Sequence, residues 1–242
     1  MSFERLTFPS DSALAAAVAT AWLQELKSRP DPSAPYSVAL SGGRIAKTFF
    51  GELARQTQAP GGAGVAQFSG MNFYWADERC VPPDDPESNY AIAMNLLFKP
   101  LGIAAAQIHR LKAELPEPFA LREALSDVAS GTPGGGAGPV LDMVFLGMGE
   151  DGHVASLFPG EPEEVMADPA VYRAVTAVKP PPRRLTLGYG TIAAAREVWV
   201  MVSGAGKEKA LGMSVADGGN TPLARVLRLR ERTKIWSDVE PV

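Results

Sequence analysis

The stretch VLDMVFLGMGEDGHVASLFPG, Val140 to Gly160, decides the fold. It opens as an apolar run, Val140 to Leu146, interrupted by Asp142 alone. That length and enrichment predict a strand buried on both faces. The run breaks at Gly147 and Gly149, which can adopt backbone conformations closed to other residues. Glu150 and Asp151 follow, then Gly152, His153 and a short helix-like piece ending at Pro159. Titratable groups just past the end of a buried strand are the pattern of an open α/β sheet, which places its ligand crevice there. His153 is one of two histidines in the chain, and histidine is the side chain best suited to move a proton near neutral pH. On the local pattern alone, a capped turn with a solvated histidine accounts for these residues equally well.

Outward from this stretch the same unit recurs. Tyr36 to Leu40 reads as a short buried strand, followed by Ser41-Gly42-Gly43-Arg44 and a helix over Ile45 to Ala54. Free N–H groups at such a helix start can meet an anion, and Arg44 adds a cation. The spacing is neither that of a P-loop nor that of a dinucleotide fingerprint. Asn72 to Ala76 is a further apolar run ending in charge, Asp77-Glu78-Arg79. Val198 to Val202 leads through Ser203-Gly204-Ala205-Gly206-Lys207 into a helix reaching Val215. Between these, helices are expected over 11–29 (capped by Asp11 or Ser12), from Ser88 through Phe98, over 117–128, 191–195 and 220–229. Strands are expected at 107–111, 171–178, 185–187 and 233–236. Lys179-Pro180-Pro181-Pro182-Arg183-Arg184 is a stiff segment carrying three cations. Gly131 to Gly138 reads as a linker, Glu161, Glu163 and Glu164 as a solvated acidic patch, and His109 as structural or exposed. The alternation predicts an α/β class: a single domain over 1–242, with a mainly parallel open sheet and helices on both faces, Rossmann-like.

Composition bounds the partners. The chain has 242 residues, is 46% hydrophobic and 21% charged, and carries a net charge of −4. Nothing in bulk favours nucleic acid, although a local basic site can still hold an anion. One cysteine, Cys80, forbids an intramolecular disulfide and fits a reducing compartment. No signal-type segment and no apolar run of ~20 residues is present, so a cytoplasmic protein without a membrane partner is expected. With one cysteine and two distant histidines, no dedicated metal site is expected, nor any cofactor. A monomer is the expected state.

The turn sequences together resemble the 6-phosphogluconolactonases, within the superfamily that includes glucosamine-6-phosphate isomerase/deaminases. The resemblance rests on Leu40-Ser41-Gly42-Gly43, Trp75-Ala76-Asp77-Glu78-Arg79-Cys80-Val81-Pro82, Ser88-Asn89, and Leu146 to Pro159. Lys179-Pro180-Pro181, Arg184-Leu185-Thr186-Leu187 and Gly204-x-x-Lys207 add to it. It covers nearly the whole chain, and its most specific part is 146–159. It implies hydrolysis of 6-phospho-D-glucono-1,5-lactone to 6-phospho-D-gluconate, the second step of the oxidative pentose phosphate pathway. Its small-molecule partner is then a sugar-phosphate lactone. Ester hydrolysis needs a base for water, stabilisation of an oxyanion and an acid for the leaving ring oxygen. The resemblance assigns the base to His153, its support to Asp151 and charge stabilisation to Arg79. Ser41, Gly42, Gly43, Arg44, Asp77, Glu78, Lys179, Arg184 and Lys207 are then expected around the substrate. Cys80, among valine and prolines, is expected to pack rather than attack. The chain departs from the family after Ser-Gly-Gly: Arg44, Ile45 and Ala46 stand where Ser or Thr, Thr and Pro are usual.

Two other functions share the superfamily. The isomerase/deaminases continue from Gly-His into Asn-Glu-Pro-Gly, with a glutamate five residues after the histidine; here Phe158 holds that place. They also typically carry tyrosine where Arg79 follows Asp77-Glu78. Non-catalytic sugar-phosphate sensors usually add a DNA-binding segment, whereas no basic helix-turn-helix precedes the first strand here.

Overall fold

The computed structural model describes residues 3–132, 134–135 and 138–242. Apart from a two-residue antiparallel pair, Gly134–Gly135 with Gly138–Pro139, the strands in chain order are β1 (Glu4–Thr7), β2 (Tyr36–Leu40), β3 (Met71–Trp75), β4 (Asp77–Arg79), β5 (Met143–Gly147), β6 (Tyr172–Thr176), β7 (Arg183–Leu187), β8 (Glu197–Val202) and β9 (Lys234–Ser237). Six of them form one sheet in the order β1-β9-β8-β5-β2-β3, every pair parallel. The helices are α1 (Asp11–Lys27), α2 (Arg44–Gln58), α3 (Asn89–Ala93), α4 (Lys99–Leu101), α5 (Glu117–Gly131), α6 (Glu163–Met166), α7 (Tyr189–Ala194), α8 (Glu208–Val215) and α9 (Pro222–Arg228). A π-helical turn, Met94–Phe98, joins α3 to α4. The class is therefore α/β, a mainly parallel sheet flanked by helices.

β5 sits near the middle of the sheet, and its residues explain why. Val144, Phe145 and Leu146 are all buried. The Phe145 ring lies 4.9 Å from Trp22 of α1, 5.0 Å from Phe49 of α2 and 5.8 Å from Trp199 of β8, so one side chain joins two helices to two strands. Tilted and edge-on aromatic contacts of this kind are favourable beyond the area they bury. Asp142, the one polar residue of the apolar run, sits before the strand starts. It accepts from the backbone N and Oγ of Ser37, at 2.8 and 2.9 Å, and so ties the starts of β2 and β5 together.

Several expectations are corrected. β6 and β7 do not join the parallel sheet: with β4 they form a separate antiparallel sheet in the order β4-β7-β6. Residues 107–111 are not a ladder strand. Ile108 makes a single bridge to Phe73, while the Gln107 amide donates to the carbonyls of Phe68 and Met71. The piece after His153 is not helical but a tight loop closed by bridges from Val154 to Met148 and to Leu157. β1 is an additional, mostly exposed edge strand. α1 is capped by Ser10, whose side chain accepts from Ala13 N, rather than by Asp11 or Ser12. The acidic patch is not free: Glu161 pairs with Arg173, itself buried, and Glu163 pairs with Arg225. The Gly131–Gly138 linker falls partly outside the described residues.

Candidate active site

The strand order changes direction between β2 and β5. From β2 the chain steps outward to β3; from β5 it steps the other way, to β8 and β9. Loops leaving adjacent strands at such a point splay apart and open a crevice at the carboxyl edge. A cleft lies there, lined by Ser41, Gly42, Gly43, Arg44, Asp77, Arg79, Gly149, His153, Arg184 and Lys207, with Ile45, Asn89, Gly147, Met148 and Ala155. The turns after β2, β3, β5 and β8 thus meet in one place.

The glycine turn after β2 is fixed from below and bare on top. Ser41 Oγ donates to the carbonyl of Phe145 at 2.8 Å, binding the two strands of the switch point. Gly43 takes φ +94, a left-handed conformation that disfavours a side chain. A Cβ on Gly42 would fall 1.8 Å from Asn89 Oδ1. No side chain caps α2. The first amides of a 15-residue helix therefore lie at the cleft wall without an intrahelical or side-chain acceptor.

The loop after β5 presents the histidine. Asp151 Oδ1 accepts from His153 N at 3.1 Å and lies 2.5 Å from His153 Nδ1. Two residues apart, the side chains meet because the chain turns at Gly152, which has φ +81 and packs on Thr221. Gly149 lies under the imidazole: a Cβ there would be 2.1 Å from Nδ1. Burial pulls the Asp151 carboxyl upward, but the adjacent histidine and its hydrogen bonds prevail and hold it below the usual carboxylate range. Among the described residues His153 Nε2 has no hydrogen-bond partner, so one ring nitrogen is held and the other is unclaimed, on a residue that lines the cleft.

Four cations surround this pair, in two groups. Arg79 of β4 and Arg184 of β7 are register partners across the small sheet. Burial, then the neighbouring Arg79, pushes the Arg184 guanidinium below its ordinary value. Arg184 is steered by the carbonyls of Pro181 (3.1 Å) and Lys179 (3.4 Å) and lies over the Phe158 ring at 5.7 Å. Lys207, at the start of α8, is 8% exposed. Burial, then Arg44, pushes its ammonium down, against the pull of Asp238 and Glu150. No acceptor for Lys207 Nζ or for the Arg44 guanidinium is present among the described residues. Buried cations without a direct hydrogen-bond acceptor are strongly attractive to an anion.

Two expected site residues lie elsewhere. Lys179 is exposed outside the cleft; its turn contributes backbone carbonyls to Arg184, not its own charge. Glu78 is buried beneath the cleft, because alternate residues of β4 face opposite ways: Asp77 and Arg79 line the cleft, Glu78 turns toward α3. Asp151 acts on the cleft through His153 rather than lining it. Two residues had no expected role. Asn89 Nδ2 donates to the backbone carbonyl of Asp77 (2.8 Å) and to its Oδ1 (3.2 Å), and Ser156 Oγ donates to Asp77 Oδ2 at 2.6 Å. Both carboxylate oxygens of Asp77 are thereby engaged, and the loops after β3 and β5 are joined. Ser88-Asn89 and Ser156 both stood in quoted motifs, but nothing local in the sequence gives either a role toward Asp77.

The fold and the cleft define an α/β protein with a histidine–carboxylate pair in a cation-lined crevice. The family model described as glucosamine-6-phosphate isomerases/6-phosphogluconolactonase matches residues 9–236, and the chain belongs to that family. The chain is 33% identical over 218 residues to a 6-phosphogluconolactonase of Mycobacterium tuberculosis, spanning 80% of this chain and 86% of that one. It is 32% identical over 194 residues to the human 6-phosphogluconolactonase, covering 80% and 74%. A solved 6-phosphogluconolactonase from Trypanosoma brucei superposes with a TM-score of 0.84 at 26% identity, covering 98% of this chain and 96% of that chain.

Proposed function

We propose that this protein hydrolyses 6-phospho-D-glucono-1,5-lactone to 6-phospho-D-gluconate, with His153 as general base and acid. The observation that carries the reading is the His153–Asp151 pair, bound at 2.5 Å through Nδ1 with Nε2 unclaimed, at the wall of the cation-lined cleft. Nε2 takes a proton from water as its oxygen attacks the lactone C1. The former carbonyl oxygen becomes an oxyanion, opposed by Arg79 and Arg184. Collapse breaks the bond from C1 to the ring oxygen, and the imidazolium returns its proton to that oxygen. Asp151 keeps the ring in one orientation and stabilises the transient imidazolium, as carboxylates beside catalytic histidines do. The phosphate then binds against the amides of the Ser41–Arg44 turn and the neighbouring cations Arg44 and Lys207. Arg44 there takes over with charge what hydroxyls do in relatives. No step calls for a metal, a cofactor or a covalent nucleophile.

One observation weighs against the isomerase/deaminase reading. The position five residues after His153 holds the Phe158 ring, packed 5.0 Å from the imidazole, where no carboxylate can assist ring opening. No helix among the described residues is long and apolar enough to cross a membrane. Residence in the cytoplasm is the reading that the lone cysteine supports. The test is hydrolysis of freshly generated lactone, with the spontaneous rate subtracted. Turnover well above the blank is expected; binding without turnover would instead mark a sensor.

A further inference from the structure

We infer that Glu78 is a positioning residue for the reaction: from beneath the cleft it fixes both the backbone of Arg79 and the segment whose carbonyl holds the Arg79 guanidinium. The Glu78 side chain is 3% exposed. Its Oε1 accepts from Arg79 N at 2.7 Å and Asn89 N at 2.8 Å. Its Oε2 accepts from Ser88 Oγ at 2.9 Å and Tyr90 N at 2.8 Å. One carboxylate thus gathers donors from β4 and from the start of α3. The Arg79 guanidinium, in turn, donates through Nη1 to the carbonyl of Glu87 at 2.6 Å. Glu87 immediately precedes the residues that Glu78 binds. Both ends of Arg79, its own N–H and the carbonyl its side chain leans on, therefore hang from the same buried group.

Ser88 Oγ caps α3 at Ala91 N, 3.1 Å, and Glu78 takes the two preceding free amides, Asn89 and Tyr90. Helix capping does not account for its remaining backbone bond, from Arg79 N. Burying a carboxylate is costly unless it is well paired, and burial pushes Glu78 up to about 7 against the pull of its donors. What the arrangement gains is a fixed place for a guanidinium that would otherwise be repelled. Arg79 stands beside Arg184 in the ladder, and its charge disfavours the charge on Arg184. The Glu87 carboxylate, 3.4 Å from Arg79 Nη1, offsets part of that repulsion, and the clamp fixes where the guanidinium sits. The same clamp sets Asn89, which orients Asp77 on the cleft wall.

The inference rests on the proposed role of Arg79 in opposing the oxyanion. The test is a double-mutant cycle read on kcat for lactone hydrolysis, blank subtracted, with Tm recorded separately. Glu78→Gln keeps the shape and one acceptor oxygen but turns an NH₂ toward donors. It should lower kcat by about 10- to 100-fold, the cost of a small misplacement. In an Arg79→Lys background, where the planar fork is already lost, the same change should cost less than about twofold. Equal losses in both backgrounds, or an unchanged kcat in E78Q, would overturn the inference and leave Glu78 a matter of folding alone. Wild-type kcat in Arg79→Lys by itself would overturn the reading of Arg79, and the inference with it. If E78Q does not fold, Ser88→Ala removes one donor and runs through the same cycle with a smaller loss and the same non-additivity.

Discussion

The chain's two histidines occupy opposite circumstances. His109 stacks on Tyr74 at 4.8 Å, its backbone N donates to Phe73 O, and its Nε2 donates to the amide oxygen of Asn72 at 2.8 Å. Burial pushes its pKa below the ordinary value. His153 instead meets a carboxylate through Nδ1 and leaves Nε2 unclaimed at the cleft wall. An amide partner can orient a neutral ring but offers little to an imidazolium, whereas a carboxylate does both. Partner and surroundings, not residue type, separate a structural histidine from a proton carrier.

The largest test of that contrast is His153→Asn. It should remove about 10²–10⁴-fold of kcat, the usual worth of a positioned acid–base group, with little change in KM or fold. Wild-type turnover in the folded variant would pass the role of base to Asp77 or Asp151. A sharper version is Asp151→Asn, which rebuilds around His153 the amide pairing of His109. A loss of about 10- to 100-fold in kcat is expected, smaller than for the histidine itself; no loss would show that the carboxylate contributes no more than an amide would.

Lys207→Met probes the proposed phosphate contact. Losing a hydrogen bond to a charged group costs about 1.5–3 kcal/mol, so KM for the phosphorylated lactone should rise by roughly 10- to 100-fold. The same variant should be near neutral toward unphosphorylated gluconolactone; an equal effect on both substrates would remove the phosphate from Lys207. The smallest effect belongs to His109→Gln, whose kcat should stay within about twofold of wild type. Its signature is in stability. Because the fold depresses the His109 pKa, the neutral ring's contribution is present above the unfolded value of about 6.5 and fades as pH falls toward the folded value. Wild-type unfolding free energy should therefore drop more steeply below about pH 6.5 than that of the variant, and parallel curves would count against it.

Much of this was legible in the residues because it is local. The apolar runs ending in glycine and charge at Gly147, Ser41 and Asp77 mark strand ends directly, and a parallel sheet brings strand ends to one edge. The rest depends on tertiary partners. Arg173 inside β6 looks like a solvated residue until Glu161 buries with it. Asp77-Glu78-Arg79 reads as one charged tip, and only as a strand does its alternation send Glu78 away from the other two. The loop after His153 has helix-like spacing, but Ala155 takes φ +50 and the bridges at Val154 close it on itself. Lys179 sits in a segment whose cations suggest a clamp, while its carbonyl, invisible to any reading of charge, holds Arg184.

The bond from Ser41 Oγ to the carbonyl of Phe145 spans 104 positions of the chain, and that from Ser156 to Asp77 spans 79. Contacts of this range close large loops of chain and form slowly. The crevice therefore has no precursor in any fragment: each wall is a loop that has its shape only when a distant strand is already alongside. During refolding, helices and single strands can gather early while the walls are still apart. Catalytic competence is then a property of the assembled chain, and no isolated stretch of it carries the cleft.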